Sequence, residues 1–436
     1  MSGIVAIVGR PNVGKSTLFN RFIMERKAIV DNVSGVTRDR HYGKCLWNGT
    51  TFTVIDTGGY VSDSDDVFEA AIREQVHIAM EEADLLLFMV DSDEGVTPLD
   101  QEFANIVRRS KKPVLLVANK SDNKERRESA FEFYEFGLGM VYPVSAMNGS
   151  GTGELLDDMV QALPRETEAA VEENIPKFAI VGRPNAGKSS LINAILGKEH
   201  NIVTPISGTT RDSIYTRFRA FDLDLYLVDT AGLRRKARVK ENIEFYSTLR
   251  AIRAIEECDV ALLMLDATLG MDAQDLNILS TVVSNGKGLV ILVNKWDLME
   301  KETNTARDME KVILERIAPL SNIPVVFVSV VEKQRILKAL EIAVEVYQEK
   351  NKQISTSKLN EVMQVVWARH RPAAARGKFI RIKYVTQIPG KVPTFLFFVN
   401  HPKLIQESYK RYLENQIREH FGFRGVPINI FFRDKN

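Results

Sequence analysis

Two stretches of the chain place glycines, a lysine and a hydroxyl residue at the same fixed spacing: GRPNVGKST at 9–17 and GRPNAGKSS at 182–190. Each follows an apolar run that predicts a strand and precedes a segment that predicts a helix, which is the context of a phosphate-binding loop. In such a loop the glycines let backbone N–H groups turn toward phosphate oxygens, and the helix N-terminus adds partial positive charge. The predicted phosphate-binding residues are Gly9, Arg10, Pro11, Asn12, Val13, Gly14, Lys15, Ser16, Thr17, Gly182, Arg183, Pro184, Asn185, Ala186, Gly187, Lys188, Ser189 and Ser190.

The lysine and the serine near the end of each stretch indicate a nucleoside triphosphate with its magnesium ion. Lys15 and Lys188 are predicted to meet the β- and γ-phosphates, and the hydroxyls of Ser16 and Ser189 to hold Mg²⁺. A glycine turn that arose by chance would not be expected twice in this context.

Two aspartate motifs follow the loops: DTGG at 56–59 and DTAG at 229–232. Each ends a strand-like run, where the carboxylate can join the magnesium shell and the glycine amides can approach the γ-phosphate. The residues predicted to contact nucleotide or metal here are Asp56, Thr57, Gly58, Gly59, Asp229, Thr230, Ala231 and Gly232.

A threonine lies between the loop and the aspartate motif in each copy, in GVTRD (35–39) and GTTRD (208–212). A lone threonine would be only a loop hydroxyl, but the spacing repeats, so Thr37 and Thr210 are predicted as second magnesium ligands. The predicted metal ligands are Ser16, Thr37, Asp56, Ser189, Thr210 and Asp229.

The base is predicted from NKSD at 119–122 and NKWD at 294–297. A carboxylate accepts hydrogen bonds from guanine N1–H and the 2-amino group, whereas adenine offers neither donor and would leave a buried carboxylate unpaired. The sequence therefore predicts GTP and GDP, with the asparagines supporting the loop and the lysine stems covering the base. The residues concerned are Asn119, Lys120, Asp122, Asn294, Lys295 and Asp297.

A backbone amide that donates to guanine O6 is predicted in the SAM string, from Ser145 and Ala146. The second copy has Ser329 and Val330 at the corresponding place. The amide is kept and the small residue is not, so the second base pocket matches the pattern less well.

The motifs recur in one order at a nearly constant offset, 173 residues from Gly9 to Gly182 and 175 from Asn119 to Asn294. A repeat of this length indicates a duplicated domain. Because apolar runs alternate with amphipathic segments, each copy is predicted to be a doubly wound α/β domain with a mostly parallel sheet.

The chain is divided at 1–163 (first nucleotide-binding domain), 164–176 (acidic linker), 177–352 (second nucleotide-binding domain) and 353–436. The last part predicts a small α+β module, in the order helix, two strands, helix, strand. Residues 351–436 hold 16 Lys and Arg against 5 Asp and Glu, a net of +11, which leaves −10 for the rest. Such a basic end favours a polyanion partner, and the alternative is a solvated basic surface.

Composition limits the other possibilities. Cys45 and Cys258 are too few for a disulfide framework or a zinc cluster, which suits a reducing cytosol. The apolar runs fall far short of the roughly 20 residues that a bilayer requires. We therefore expect a cytoplasmic protein with no membrane partner, acting as a monomer.

The nucleotide motifs resemble those of Ras-like GTPases of the translation-factor class. Two such domains followed by a small basic domain resemble the bacterial tandem GTPase family Der, also called EngA, over essentially the whole chain. The resemblance implies a ribosome-associated GTPase that acts in maturation of the large subunit, with rRNA among its contacts. It also implies a KH-like domain from about residue 353.

A KH domain usually grips RNA with a GXXG loop between two helices. Here the string occurs at 422–425, between the last predicted helix and the last strand, where a helix C-cap and turn explain it better. We therefore expect this domain to bind RNA or protein by another face.

Ras relatives orient the attacking water with a glutamine just after the aspartate motif, where this chain has Tyr60 and Leu233. Slow intrinsic hydrolysis is therefore expected. Relatives use an asparagine at the fourth loop position to help hold K⁺ beside the phosphates, so the resemblance implies this role for Asn12 and Asn185, with stimulation by potassium. The alternative is that asparagine simply suits a tight loop. The predicted catalytic residues are Lys15, Thr37, Gly59, Asn12, Lys188, Thr210, Gly232 and Asn185.

The segments after the aspartate motifs differ. Residues 234–240 hold five basic residues, whereas the first copy reads VSDSDDVFE at 61–69. A nucleotide-controlled patch for rRNA or a neighbouring domain is the preferred interpretation, and a solvated helix start is the alternative. For the whole chain, two hypotheses stay open: a GTP-hydrolysing switch, or a nucleotide-gated RNA-binding scaffold in which only one domain hydrolyses GTP.

Overall fold

The computed structural model describes residues 3–24, 42–57, 83–110, 112–163, 175–197, 204–207, 214–228, 251–300, 304–320, 322–374 and 377–434. These residues form two compact units, one from within 1–171 and 236–256 and the other from within 172–235 and 257–436. The predicted linker lies outside the described residues except for Ile175 and Pro176.

The first unit contains a six-stranded sheet. Its strands are β1 (Ile4–Val8), β2 (Tyr42–Trp47), β3 (Thr50–Asp56), β4 (Leu85–Asp91), β5 (Val114–Asn119) and β6 (Val141–Pro143). Their spatial order is β2-β3-β1-β4-β5-β6, and every neighbouring pair is parallel except β2 with β3. The predicted doubly wound, mostly parallel sheet is confirmed.

Helices cover both faces of this sheet: α1 (Lys15–Met24), α2 (Pro98–Arg108), α3 (Lys124–Ser129) and α4 (Thr152–Ala162). All seven residues of β4 are buried, as expected for a central parallel strand with both faces covered. Residues 251–256 are helical and belong to this unit, where Arg253 Nη2 lies 3.5 Å from Asp84 Oδ1.

The second unit repeats this arrangement. Its larger sheet is built from β7 (Lys177–Val181), β8 (Thr204–Ser207), β9 (Ile214–Ala220), β10 (Leu223–Val228), β11 (Val260–Asp266), β12 (Gly288–Asn294) and β13 (Val325–Phe327). The spatial order is β13-β12-β11-β7-β10-β9-β8, which is the order of the first sheet with β8 added at the edge. The helices are α5 (Lys188–Leu196), α6 (Ala273–Ser284), α7 (Thr305–Arg316) and α8 (Ile336–Asn351).

The same unit includes the small α+β module. Its elements are α9 (Thr356–Arg369), β14 (Ile382–Ile388), β15 (Thr394–Val399), α10 (Glu407–Phe421) and β16 (Asn429–Asp434), in the predicted order. Helix α10 begins at Glu407, after a separate 3-10 turn at Pro402–Leu404. Among the described residues, no helix has the length and apolar content to cross a membrane.

Two candidate nucleotide sites

The two glycine-rich loops connect β1 to α1 and β7 to α5, at the carboxyl ends of central strands. Both loops begin with a glycine at positive φ, 151° for Gly9 and 143° for Gly182. A Cβ atom on Gly9 would lie 2.3 Å from the carbonyl oxygen of Met89, and one on Gly182 would lie 2.4 Å from that of Met264. Only glycine lets the loop pass this close to the neighbouring strand.

The two loop lysines are buried beneath their own loops. Lys15 Nζ donates to the carbonyl oxygens of Gly9 and Arg10, at 2.9 and 2.7 Å, and Lys188 makes the corresponding bonds at 2.6 and 2.5 Å. Burial lowers the pKa of Lys15 to about 8, Asp56 opposes this shift, and Arg10 adds to it. Each ammonium group is therefore held at the loop's centre, where phosphate oxygens can replace the carbonyl partners.

The predicted magnesium ligands of the first site meet. The Ser16 hydroxyl donates to Asp56 Oδ2, so a group from the start of α1 and one from the end of β3 lie side by side. Hydroxyl and carboxylate oxygens are the donors that Mg²⁺ accepts, so this pair fits the ion, which when bound would neutralise charge on the phosphates. Ser189 has the corresponding position at the start of α5.

One asparagine links the phosphate loop to the base loop in each copy. Asn119 Nδ2 donates to the Val13 carbonyl at 2.8 Å, and its Oδ1 accepts from the Ala146 amide at 2.9 Å. Asn294 makes the same two contacts in the second copy, at 2.9 and 3.1 Å. A Cβ atom on Gly14 would lie 2.3 Å from the Asn119 amide nitrogen, which explains why the last loop position before the lysine is glycine.

The carboxylates predicted to bind guanine are oriented by a serine. The Ser145 hydroxyl donates to Asp122 Oδ1, and the Ser329 hydroxyl donates to Asp297 Oδ1 at 2.5 Å. Val330, which replaces a small residue, still supplies the amide that donates to the asparagine. The contacts of the second base loop therefore match those of the first, despite its poorer agreement with the sequence pattern.

Two aspartates at the site were missing from the sequence prediction. Asp91 ends β4 and lies 2.5 Å from Lys120 Nζ, and Asp266 ends β11 at the same distance from Lys295 Nζ. Burial acts to raise the pKa of Asp266, but hydrogen bonds from Lys295 and Thr268 outweigh it and hold the pKa below its ordinary value. Each lysine head is thus anchored, and the role of its stem in covering the base stays a prediction. The sequence feature that could have identified them is the recurrence of an aspartate at the end of the same apolar strand in both copies.

The loop arginines point away from the phosphate position. Arg10 Nε lies 3.2 Å from Asp100 Oδ2, and Arg183 lies 2.6 Å from Asp272 and 2.9 Å from Asp275. Asp100 and Asp275 occupy the first turns of α2 and α6. These side chains therefore attach the loops to the helices, and only their backbone N–H groups remain for phosphate.

The loop asparagines both adopt the left-handed conformation, with φ of 64° for Asn12 and 63° for Asn185. Asparagine is one of the few residues other than glycine that visit this region readily, so turn geometry alone accounts for the residue type. Both side chains are exposed. A role in holding K⁺ stays a prediction.

The other predicted loop residues lie around the lysines. Val13 and Ala186 are buried in the cores below, and the Thr57 hydroxyl donates to the Ile7 carbonyl at 2.8 Å, so these side chains support the site from beneath. The half-buried or exposed loop residues are Pro11, Thr17, Pro184 and Ser190.

Several predicted residues lie outside the described part of the chain, and their roles stay predictions. They are Thr37, Gly58, Gly59, Thr210, Asp229, Thr230, Ala231 and Gly232, together with Tyr60, Leu233 and the basic residues of 234–240.

Comparison with known proteins identifies the family. A family model described as a 50S ribosome-binding GTPase matches residues 4–120 and 177–295, and one described as KH-domain-like of EngA bacterial GTPase enzymes matches 353–433. The GTPase Der of Christiangramia forsetii is 56% identical over 435 residues, covering 100% of both chains. The chain belongs to the Der family of GTPases. The GTPase Der of Flavobacterium johnsoniae is 55% identical to this chain over 435 residues, again covering 100% of both chains.

Membership in the Der family confirms the resemblance and the fold: two GTP-binding P-loop domains and a KH-like C-terminal domain. Among solved structures, Era of Aquifex aeolicus is similar with a TM-score of 0.31 and 19% identity, covering 60% of this chain and 93% of that one. An EngB-type GTP-binding protein has a TM-score of 0.27 and 23% identity, with 36% and 97% covered.

Proposed function

We propose that this chain is a GTP-hydrolysing switch that acts in maturation of the large ribosomal subunit, with two GTP sites controlling domain arrangement and ribosome binding. The observation that carries this proposal is the link made by Asn119 and repeated by Asn294, each joining a phosphate loop to a base loop. Because both sites have this internal construction, we expect both to bind and hydrolyse GTP. This favours the switch over a scaffold with one hydrolysing domain.

The switching step requires groups that sense the γ-phosphate. We assign this role to Thr37 and Gly59 in the first domain and to Thr210 and Gly232 in the second, following the spacing of their motifs. Lys15 and Lys188 place a positive charge at the β- and γ-phosphates and stabilise the charge that develops there in the transition state. Loss of the γ-phosphate after hydrolysis would release the sensing segments.

Hydrolysis is proposed to be slow and stimulated by potassium. Tyr60 and Leu233 carry no carboxamide to orient water, and Asn12 and Asn185 lie exposed at the loop position where K⁺ would be held. We expect faster GTP hydrolysis in KCl than in NaCl at matched ionic strength, with the difference lost in Asn12→Ala, Asn185→Ala protein. Equal rates in the two salts would refute the potassium role.

The ribosomal role is supported by the description of the matching family model and by the net charge of +11 in residues 351–436. rRNA is the polyanion that such a domain would meet on the large subunit. The test is co-sedimentation of the protein with purified large and small subunits in GDP and in a non-hydrolysable GTP analogue. We expect binding to the large subunit that depends on the nucleotide, by a monomer acting in the cytoplasm. Equal binding with GDP and with the GTP analogue would refute the proposal that nucleotide controls ribosome binding.

A further inference from the structure

The GXXG string at 422–425 is occupied by contacts within its own unit. Gly422 ends α10 with a φ of 90°, and its amide donates to the Arg418 carbonyl at 2.9 Å, which is the expected helix cap. The Gly425 amide donates to the Asn322 carbonyl at 2.9 Å, and its carbonyl accepts from the Leu289 amide at 2.8 Å. The loop is thus packed against the start of β12, and its backbone is committed to protein partners. An RNA ligand of this domain must use another surface.

The three-stranded sheet of the domain has two different faces. One face packs Val385, Phe395 and Phe397 against α9 and α10, where all three are fully buried. Because side chains alternate along a strand, the residues between them form the opposite face. On that face Tyr384 and Phe398 stack with ring centroids 4.2 Å apart.

This outer face continues across all three strands. Phe398 is paired in register with Tyr384 on β14 and with Arg433 on β16, and Leu396 is paired with Phe431 in the next row. Phe431 exposes 49% of its surface although it lies in a strand. Aromatic rings in two adjacent rows of a sheet offer flat surfaces at spacings that successive unpaired bases can reach.

A further ring lies beyond the end of β15. Phe379 exposes 84% of its surface, the largest value among the described large apolar residues. Its backbone is fixed, since its carbonyl accepts from Asn400 Nδ2 at 2.9 Å and the Arg381 amide donates to Asn400 Oδ1 at 2.8 Å. The backbone that carries this exposed ring is therefore tied to the turn after β15.

The charge around these rings is of one sign. Residues 362–406 contain eight Lys and Arg and no Asp or Glu. Arg381, Lys383 and Arg433 are exposed, and within the described part of the chain none of the three forms a salt bridge. Cations beside exposed rings match the phosphates and base faces of a nucleic acid strand, whereas an apolar protein partner would gain nothing from unpaired cations.

We propose that the outer face of the sheet formed by β14, β15 and β16 binds single-stranded RNA, with Phe398 and Phe431 stacking on bases and Arg433 meeting a phosphate. Lys383 and Arg381 extend the phosphate contact toward Phe379. Base pairing would hide the base faces from these rings, so an unpaired segment is preferred over a duplex. The proposal deepens the proposed function, on which it rests for the natural source of the RNA.

The test is the affinity of the full chain, in GDP, for a fluorescent 12-nucleotide single strand of mixed sequence, measured by anisotropy at several salt concentrations. Phe431→Ala is expected to weaken binding about tenfold, while Phe431→Tyr keeps most of it, because stacking needs a ring. Arg433→Gln is expected to lower the salt slope by about 0.7 for the phosphate contact it removes. Phe131→Ala, at an exposed aromatic position of the first unit, is the matched control and leaves binding unchanged.

Three outcomes would overturn the proposal: no binding of the strand by wild-type protein, binding of the matching duplex with equal affinity, or unchanged affinity in Phe431→Ala. Loss of large-subunit binding by Phe431→Ala without loss of RNA affinity would show that a protein occupies this face, and would also overturn it. Thermal unfolding of each variant checks that the half-exposed position tolerates the change. Nucleotide-dependent sedimentation of wild-type protein with the large subunit would leave the proposed function standing in every case.

Discussion

Within the described residues, the two nucleotide sites differ at the third position of the N-K-x-D motif. Ser121 is fully buried in the first site, and its hydroxyl lies 2.9 Å from that of Ser92. Trp296 takes this position in the second site and packs against Phe327, with ring centroids 4.4 Å apart. The neighbouring Asp122 and Asp297 nevertheless keep the same serine partner. The carboxylate predicted to bind the base thus keeps one arrangement in both sites, whereas the residue packed before it differs.

An arginine lies beside the carboxylate of the first site. Arg126 Nη1 lies 3.6 Å from Asp122 Oδ2 in the first site. The first base loop is therefore supported partly by an exposed ion pair that salt screens.

Changing Asp122 or Asp297 to asparagine should have the largest effect. Either change removes the carboxylate that is predicted to distinguish guanine, so GTP affinity at that site is expected to fall roughly 1000-fold. Xanthosine triphosphate should gain affinity, because its C2 oxygen can accept from the new amide. Equilibrium binding with each nucleotide checks this, with the other site disabled by Lys188→Ala or Lys15→Ala. An unchanged preference for GTP at either site would show that its base is read by other groups.

Removing the loop lysines should have the next largest effect. Lys15→Ala and Lys188→Ala each delete a positive charge that we propose stabilises the transition state, so hydrolysis at the altered site is expected to slow roughly 100-fold. Single-turnover assays measure the site that remains in each variant. If one variant keeps the full hydrolysis rate of the wild-type chain while the other has none, only one domain hydrolyses GTP. That result would favour the scaffold hypothesis over the switch.

The acidity of Lys15 gives the first site a defined response to pH. Its pKa is lowered from 10.5 to about 8 by burial, so in the nucleotide-free site Lys15 becomes neutral as the pH rises through 8. Phosphate binds the charged form, and GTP affinity should therefore fall by up to about tenfold per pH unit above 8. The effect of Lys15 on folding stability changes with pH in the opposite direction. Burying the charged lysine costs stability below pH 8, and this cost disappears as the pH rises toward 10.5.

The measurement is GTP affinity between pH 7 and 10 with the second site disabled by Asp297→Asn. Lys15→Arg serves as the control, because a guanidinium stays charged across this range and should bind more weakly without the decline. An equal decline in Lys15→Arg would assign the titration to another group.

Changing Asp275, which holds Arg183 of the second phosphate loop, should have the smallest effect. Burial raises the pKa of Asp275 from 3.8 to about 6, although the Asp272 amide and Arg183 oppose the shift. Its contribution to stability is therefore fully present below pH 3.8 and is lost as pH rises through 6. The Tm of Asp275→Asn minus the Tm of wild type should therefore increase by about 2–4 °C from pH 4 to pH 7. The exposed Asp308→Asn is the control, and a pH-independent difference for Asp275→Asn would contradict the assignment.

The sequence predicted what depends on local pattern. The loops, the strand ends carrying Asp56 and Asn119, and the order of elements in all three domains follow from spacing and apolar runs. It did not predict that Arg10 would turn to Asp100, because that partner lies 90 residues away. It also did not show that Gly14 is required by the Asn119 amide, since that contact exists only after β5 is placed beside the loop.

The packing of the 422–425 loop has a consequence for how the chain is made. Val426, directly after this loop, belongs to the core of the second nucleotide-binding domain together with Leu292 and Val346. During synthesis the core of the second nucleotide-binding domain can therefore be completed only after Val426 has emerged, although its other buried members end at Val346.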